Sequence, residues 1–205
     1  MGVEHIEVMV EEPSMEAALR LLLPKILRKK TFDIYNFQCK QQLLAVLPQR
    51  LRGYRRWLPT NWRIVVVVDC DDNDCRKLKS ELEKTASDAG FSTRSHSYGT
   101  PWNVVNRIVI EELEAWYFGD WEAVKMAFPR VPSTIPLQAK YRDPDSIAGG
   151  TWEAFERILQ RADYFKSGLR KIEAAKAIAG HMLPEQNRSH SFRIFLSTFK
   201  ELESM

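Results

Sequence analysis

The 205-residue sequence predicts an α/β fold, a mainly parallel sheet flanked by helices with a helical C-terminal extension. Three observations predict it. Short runs rich in Val and Ile alternate with stretches of helical periodicity, one of those runs is β-branched throughout, and the composition changes beyond Phe128. Residues 6–10 read as the first strand. Glu11-Glu12-Pro13-Ser14 follows as a turn, where proline and serine suit a helix entrance, and residues 15–27 carry an apolar helical period. Residues 32–37 alternate as a second strand, and residues 38–56 read as a helix broken near Pro48 and Gly53. Arg63-Ile64-Val65-Val66-Val67-Val68 is the pattern of a strand buried on both faces, and it runs into Asp69-Cys70-Asp71-Asp72-Asn73-Asp74. Residues 75–88 form a charged amphipathic helix, residues 91–98 a strand, and residues 104–110 a strand that leads into Glu111-Glu112-Leu113-Glu114. Pro129, Pro132, Pro136 and Pro144 mark a loop-rich connection, and residues 151–203 carry helical signals with turns near Gly168 and Pro184. The expected division is residues 1–128 for the α/β part and 129–205 for the connection and a helical subdomain packed on it.

Composition narrows the function classes. The chain is 44% hydrophobic and 28% charged with a net charge of +3, and no run approaches the roughly 18 apolar residues of a membrane span. Acids stand where a signal peptide would be basic, so a cytoplasmic protein without a membrane partner is expected. Nine glycines form neither GxGxxG nor GxxxxGK[ST], which removes Rossmann dehydrogenases and P-loop NTPases. Cys39, Cys70 and Cys75 lack CxxC spacing and are expected as buried or surface thiols. Charge is segregated: residues 21–63 hold ten basic side chains against Asp33 alone, whereas acids cluster at residues 4–16 and 69–74. An acidic centre bordered by a basic surface is the layout of a metal site that receives a polyanion, although solvated faces give the same counts.

Acids fall at three strand ends: Glu11, Asp69 with Asp71, and Glu111, Glu112 and Glu114. In a parallel sheet those ends share one edge, and crowded carboxylates repel unless a cation lies between them. Their hard oxygens suit Mg²⁺ or Mn²⁺, which can activate water and neutralise a phosphodiester. The competing reading is that they cap helices and face water. An EF-hand starting at Asp69 fails, since Asp74 and Ser80 stand where glycine and glutamate are needed. A dehalogenase-type phosphatase fails on the position of its DxD and on Asn73, while a glycosyltransferase DxD stays open. The four histidines share no metal-ligand spacing; His190 suits phosphate contact or a helix entrance. Tyr54-Arg55-Arg56-Trp57 with Trp62 and Arg63 interleaves cations and aromatics in a way that suits phosphate contact and base stacking, or a core aromatic cluster.

These residues carry a resemblance. Glu11 at a strand end, the Glu-x-Pro-Ser turn into a helix, and Asp69-Cys70-Asp71 after a hydrophobic strand resemble the two motifs of the Toprim superfamily. Glu114-Ala115-Trp116-Tyr117-Phe118-Gly119-Asp120 and Ser191-Phe192-Arg193-Ile194-Phe195 resemble small bacterial Toprim proteins of unknown function related to RloB-like proteins. The resemblance implies a Toprim-like (Rossmann-like) fold and a Mg²⁺- or Mn²⁺-dependent nuclease acting on DNA or tRNA, the effector of an anti-phage system with an ABC/OLD-type ATPase. It makes Glu11, Asp69 and Asp71 metal-binding and catalytic, with Glu114 a further member of the acidic site and Glu12, Asp72 and Glu112 secondary candidates. Arg52, Arg55, Arg56, Arg63 and Lys166 are the expected nucleic-acid contacts, and a homo-oligomer is a further expectation. The usual motif has glycine directly after its glutamate; Glu12 stands there, and a left-handed backbone at that point would strain it. That departure supports the alternative of a latent or non-catalytic Toprim-like binding subunit that regulates an ATPase.

Overall fold

A computed structural model describes residues 2–70, 74–99 and 101–205. Asp71 and Asp72, both candidate acids, lie outside the described residues.

Four strands form one parallel sheet in the order β2-β1-β3-β4: β1 (His5–Val10), β2 (Thr31–Asn36), β3 (Trp62–Asp69) and β4 (Val104–Val109). Alternate side chains of the buried strands go to opposite cores. Val65 and Val67 join Ile6, Val8, Val10 and Val105 on one face, whereas Ile64, Val66 and Val68 join Met9 and Val104 on the other. Helices α2 (Lys40–Tyr54) and α3 (Cys75–Asp88) cover the second face through Leu43, Leu47, Leu51, Leu78 and Leu82.

The first face holds the larger core. Helix α1 (Pro13–Ile26) buries Met15, Ala18, Leu19, Leu22 and Leu23, a stripe at three- and four-residue spacing. Against it lie α4 (Leu113–Gly119), α5 (Trp121–Ala127), α6 (Thr151–Arg161), α7 (Lys171–His181) and α8 (His190–Ser204), whose apolar residues belong to the same continuous cluster. Lys25 of α1 ties this layer together by donating to the carbonyls of Ala179, Gly180 and Met182 at 2.8–2.9 Å, which satisfies the open end of α7. Burial lowers the Lys25 pKa, with Asp120 opposing the shift.

The two sequence stretches of the narrower resemblance meet here. Trp116 Nε1 donates to Ser191 Oγ at 3.1 Å, and its ring packs on Phe192 and Phe195. Gly119 is required by a close approach, because a Cβ there would lie 2.0 Å from Asn187 Oδ1. His190 opens α8 and its backbone N–H donates to Asp145, so its place is the helix entrance.

Three expectations are corrected. Residues 91–98 form no strand: Thr93 makes a single bridge to Val104, and Arg94–His96 is a 3₁₀ turn. The segment has only Phe91 and Thr93 buried, too few to anchor a ladder. Helix α2 continues through Pro48, because Leu43, Leu47 and Leu51 hold one buried stripe on both sides of it. Cys70 and Cys75 are not thiols but a disulfide, and among the described residues Cys39 is the free cysteine.

Candidate active site

Helix α1 lies on one face of the sheet and α2 and α3 on the other, so the winding direction reverses between β1 and β3. In open parallel sheets the crevice outside the carboxyl ends at such a switch point is where ligands bind. Two carboxylates occupy it. Glu11 follows β1, Asp69 ends β3, and the Asp69 backbone N–H donates to Glu11 Oε2 at 3.2 Å. Asp69 is buried at 5% exposure, held by the same β-branched run that predicted its strand.

Glu12, on the same rim, turns to Ser14 and Lys171. Its backbone is extended at φ −134°, so the missing glycine imposes no left-handed strain. The Glu12 carboxylate accepts from Ser14 Oγ and faces Lys171 Nζ at 3.8 Å. Glu111 is the residue on this edge that takes a left-handed φ, +59°.

Glu114 is fully buried in the first turn of α4, and its Oε2 has no hydrogen-bond partner among the described residues. Burial pushes its pKa up to about 7; Lys171 opposes that shift while Glu112 and Glu12 add to it. Tyr117, one turn on, is driven well above the ordinary tyrosine range by burial and by Glu114, Glu12 and Asp69. Burial alone would lower Lys171, but Glu114, Glu12, Glu112 and Asp69 outweigh it and hold the ammonium charged. Glu114, Glu12, Glu112 and Asp69 thus act on Lys171, with Glu11 and Glu111 on the same edge and Lys40 Nζ donating to the Cys70 carbonyl there at 3.3 Å. Nothing local in the sequence links Lys171 to these acids, which lie more than fifty residues away.

Glu112 serves the fold. Its Oε2 accepts from Thr151 Oγ1 at 2.8 Å and from the Trp152 N–H at 2.9 Å, which caps α6. Beside it, Glu111, Glu112, Asp145, Gly149, Gly150 and Trp152 line an open cleft of about 680 Å³.

The basic candidates are not brought to this edge. Arg52 is in the last turn of α2 and Arg55 and Arg56 follow it, all exposed at the amino end of β3. Arg63 is 5% exposed, its Nη1 donates to the Thr60 and Trp62 carbonyls, and burial lowers its pKa. Trp57 is 57% exposed and meets Trp62 edge-on. Lys166 is exposed between α6 and α7 and pairs with Asp163 at 2.7 Å.

Fold and site together define a doubly wound α/β protein with an acidic crevice at its switch point. Residues 10–200 match the model of the family described as Domain of unknown function (DUF4276), and the chain belongs to that family. None of the curated proteins compared with it matches. Among solved structures, the C-terminal region of the OLD protein of Xanthomonas campestris pv. campestris is similar at a TM-score of 0.49 and 14% identity, over 98% of this chain and 94% of that one. Among the described residues no helix is long and apolar enough to cross a membrane.

Proposed function

We propose that the chain is a Toprim-type, divalent-metal-dependent nuclease that hydrolyses phosphodiesters of DNA or tRNA. The observation that carries this reading is the contact of Glu11 with the Asp69 backbone at the switch point, inside a rim that adds Glu12, Glu112 and buried Glu114. An all-oxygen donor set fits Mg²⁺ or Mn²⁺, and the buried Glu114 Oε2 without a hydrogen-bond partner fits a cation nearby. Glu11, Asp69 and Asp71 would hold the ion, with Glu114 completing the acidic set. When bound, it supplies a Lewis acid for the phosphodiester and a more acidic water.

The chain's own residues do the rest. Glu11 orients the attacking water and takes its proton, at a carboxylate already fixed by the Asp69 N–H. Lys171, kept charged by its acidic neighbours, donates to a non-bridging phosphate oxygen. Exposed Arg52, Arg55, Arg56 and Trp57 hold the polymer by phosphate contact and stacking. The resemblance to small Toprim proteins supports an ABC/OLD-type ATPase as partner and an anti-phage role.

One observation favours the second reading, a latent regulatory subunit: Lys171 already supplies a positive charge to the rim where a metal would sit. A single assay separates the two. The purified protein is incubated with Mn²⁺ or Mg²⁺ and labelled plasmid, single-stranded DNA and total tRNA. Cleavage is expected with metal alone or on adding the ATPase, and Asp69→Asn or Glu11→Gln should lower it at least about a hundredfold with the fold kept. Ordinary cleavage by both variants overturns the assignment, whereas a wild type that binds no more metal than Asp69→Asn does selects the regulatory reading.

A further inference from the structure

At the opposite, amino edge of the sheet, three side chains from two paired strands converge. His5 and Glu7 share one face of β1, and Asp33 of β2 stands beside Glu7 in register. His5 Nε2 lies 3.5 Å from Glu7 Oε1 and 3.7 Å from Asp33 Oδ2, and one potential ligand atom from each of the three lies within 4.8 Å of the others. His5 is 8% exposed, and its Nε2 has no hydrogen-bond partner among the described residues.

The surroundings fix which ring nitrogen faces the acids. His5 Nδ1 is 2.7 Å from Thr31 Oγ1, and the Thr31 hydroxyl donates to the Glu4 carbonyl at 3.3 Å. Thr31 has one hydrogen, and with it on the Glu4 carbonyl the hydroxyl oxygen accepts from Nδ1–H, which leaves Nε2 as the ring nitrogen that faces two carboxylates. Buried Nε2 and the buried Glu7 carboxylate, with the Asp33 carboxylate at the solvent side, make a donor set that a cation can join. We propose that His5, Glu7 and Asp33 form a binding site for a zinc-class divalent cation, separate from the acidic crevice.

Four features agree. Tetrahedral zinc with ligands at about 2.1 Å places its ligand atoms roughly 3.4 Å apart, close to the two observed separations. Tyr54 Oη donates to Glu7 Oε2 at 2.7 Å, which turns Oε1 toward His5. The Trp62 ring lies on the imidazole, 4.0 Å between centroids, and with Thr31 fixes its orientation, as outer contacts do for metal-ligating histidines. Asp33 is largely exposed and gives the ion a way in from solvent, with room for a fourth ligand. One imidazole among oxygens favours zinc and its transition-metal neighbours over Mg²⁺.

The test uses the full chain, stripped with a chelator and dialysed against Zn²⁺ alone near neutral pH, with bound metal counted by mass spectrometry. Wild type and Asp69→Asn should both retain an equivalent of zinc that Asp33→Asn binds at least about tenfold more weakly. Asp33 is exposed, so that variant keeps the fold; His5→Gln should lose the same equivalent. Nitrogen-resolved NMR should show His5 Nε2 without a proton when zinc is bound. Equal uptake by wild type and Asp33→Asn, no uptake at all, or a doubly protonated His5 ring paired with the acids in the presence of zinc would each overturn the site. Failure here leaves the Asp69-dependent assay untouched, so the two conclusions fall separately.

Discussion

Glu114 is where the chemistry of a single side chain becomes a measurable property of the fold. Its carboxyl ionises near 4.5 when free and near 7 when buried in α4. Between those values the unfolded chain gives up the proton while the native one keeps it. Stability therefore falls as pH rises from about 4.5 to about 7 and levels off above, and the stabilising contribution is complete only below the lower value. The span corresponds to an effect of order 3 kcal/mol. In urea unfolding with chelator present, Glu114→Gln should match wild type near pH 4.5 and exceed it increasingly up to pH 7. Parallel curves for the two proteins would place the raised pKa elsewhere. Glu11 and Asp69 could be read from sequence because each ends an apolar run, and a run buried on both faces has a definite end. Helix capping stood in the sequence as the competing role for the strand-end acids, but that Glu112 caps α6 and that Lys171 joins the rim could not be read, since their partners are brought in by tertiary packing of α6 and α7, which carries no local signal.

At the scale of elements, legibility followed burial. Strand β3 and helix α1 each present an uninterrupted pattern to one core, and their sequence-derived limits differ from the observed ones by a residue or two. The segment after α3 failed because its Ser-, Thr- and His-rich stretch offers almost nothing to bury, and the continuity of α2 across Pro48 was hidden because a local rule was overridden by packing. The turn from β3 into α3 belongs to this scale too. Asp74 Oδ1 accepts from the Arg76 and Lys77 N–H groups at 2.8 and 3.2 Å, and the disulfide joins the residue after β3 to the first residue of α3. Closing that short loop restricts the unfolded chain, a gain of about 2 kcal/mol in the chain-entropy view. Cys70→Ser with Cys75→Ser should therefore lower urea stability by about that amount without reductant, and wild type in dithiothreitol should fall to the same value. A wild type indifferent to reductant would mean that the turn is held by its cap and packing alone.

Over the whole molecule, the acids and the exposed arginines stand toward opposite ends of β3, an eight-residue strand that spans roughly 23 Å. The +9 excess of residues 21–63 is therefore not one face: Arg52, Arg55 and Arg56 lie at the amino end, Lys25 holds the end of α7, and Lys40 Nζ donates to the Cys70 carbonyl beside the acidic crevice at 3.3 Å. A polymer gripped at Arg52, Arg55 and Arg56 must run the length of the sheet to reach Glu11 and Asp69, or be gripped by one copy and presented to another. In either arrangement affinity and chemistry are separable. If Arg55 and Arg56 make the phosphate contacts proposed for them, replacing both by alanine should make the slope of log affinity against log salt shallower by about 2, with similar losses for unrelated sequences. Single-turnover cleavage at saturating nucleic acid should stay near the wild-type rate, because neither arginine approaches the crevice. A slope unchanged by the double substitution would move the nucleic-acid face away from the amino edge; a collapse of the saturated rate would mean that these arginines of one molecule complete the site of another.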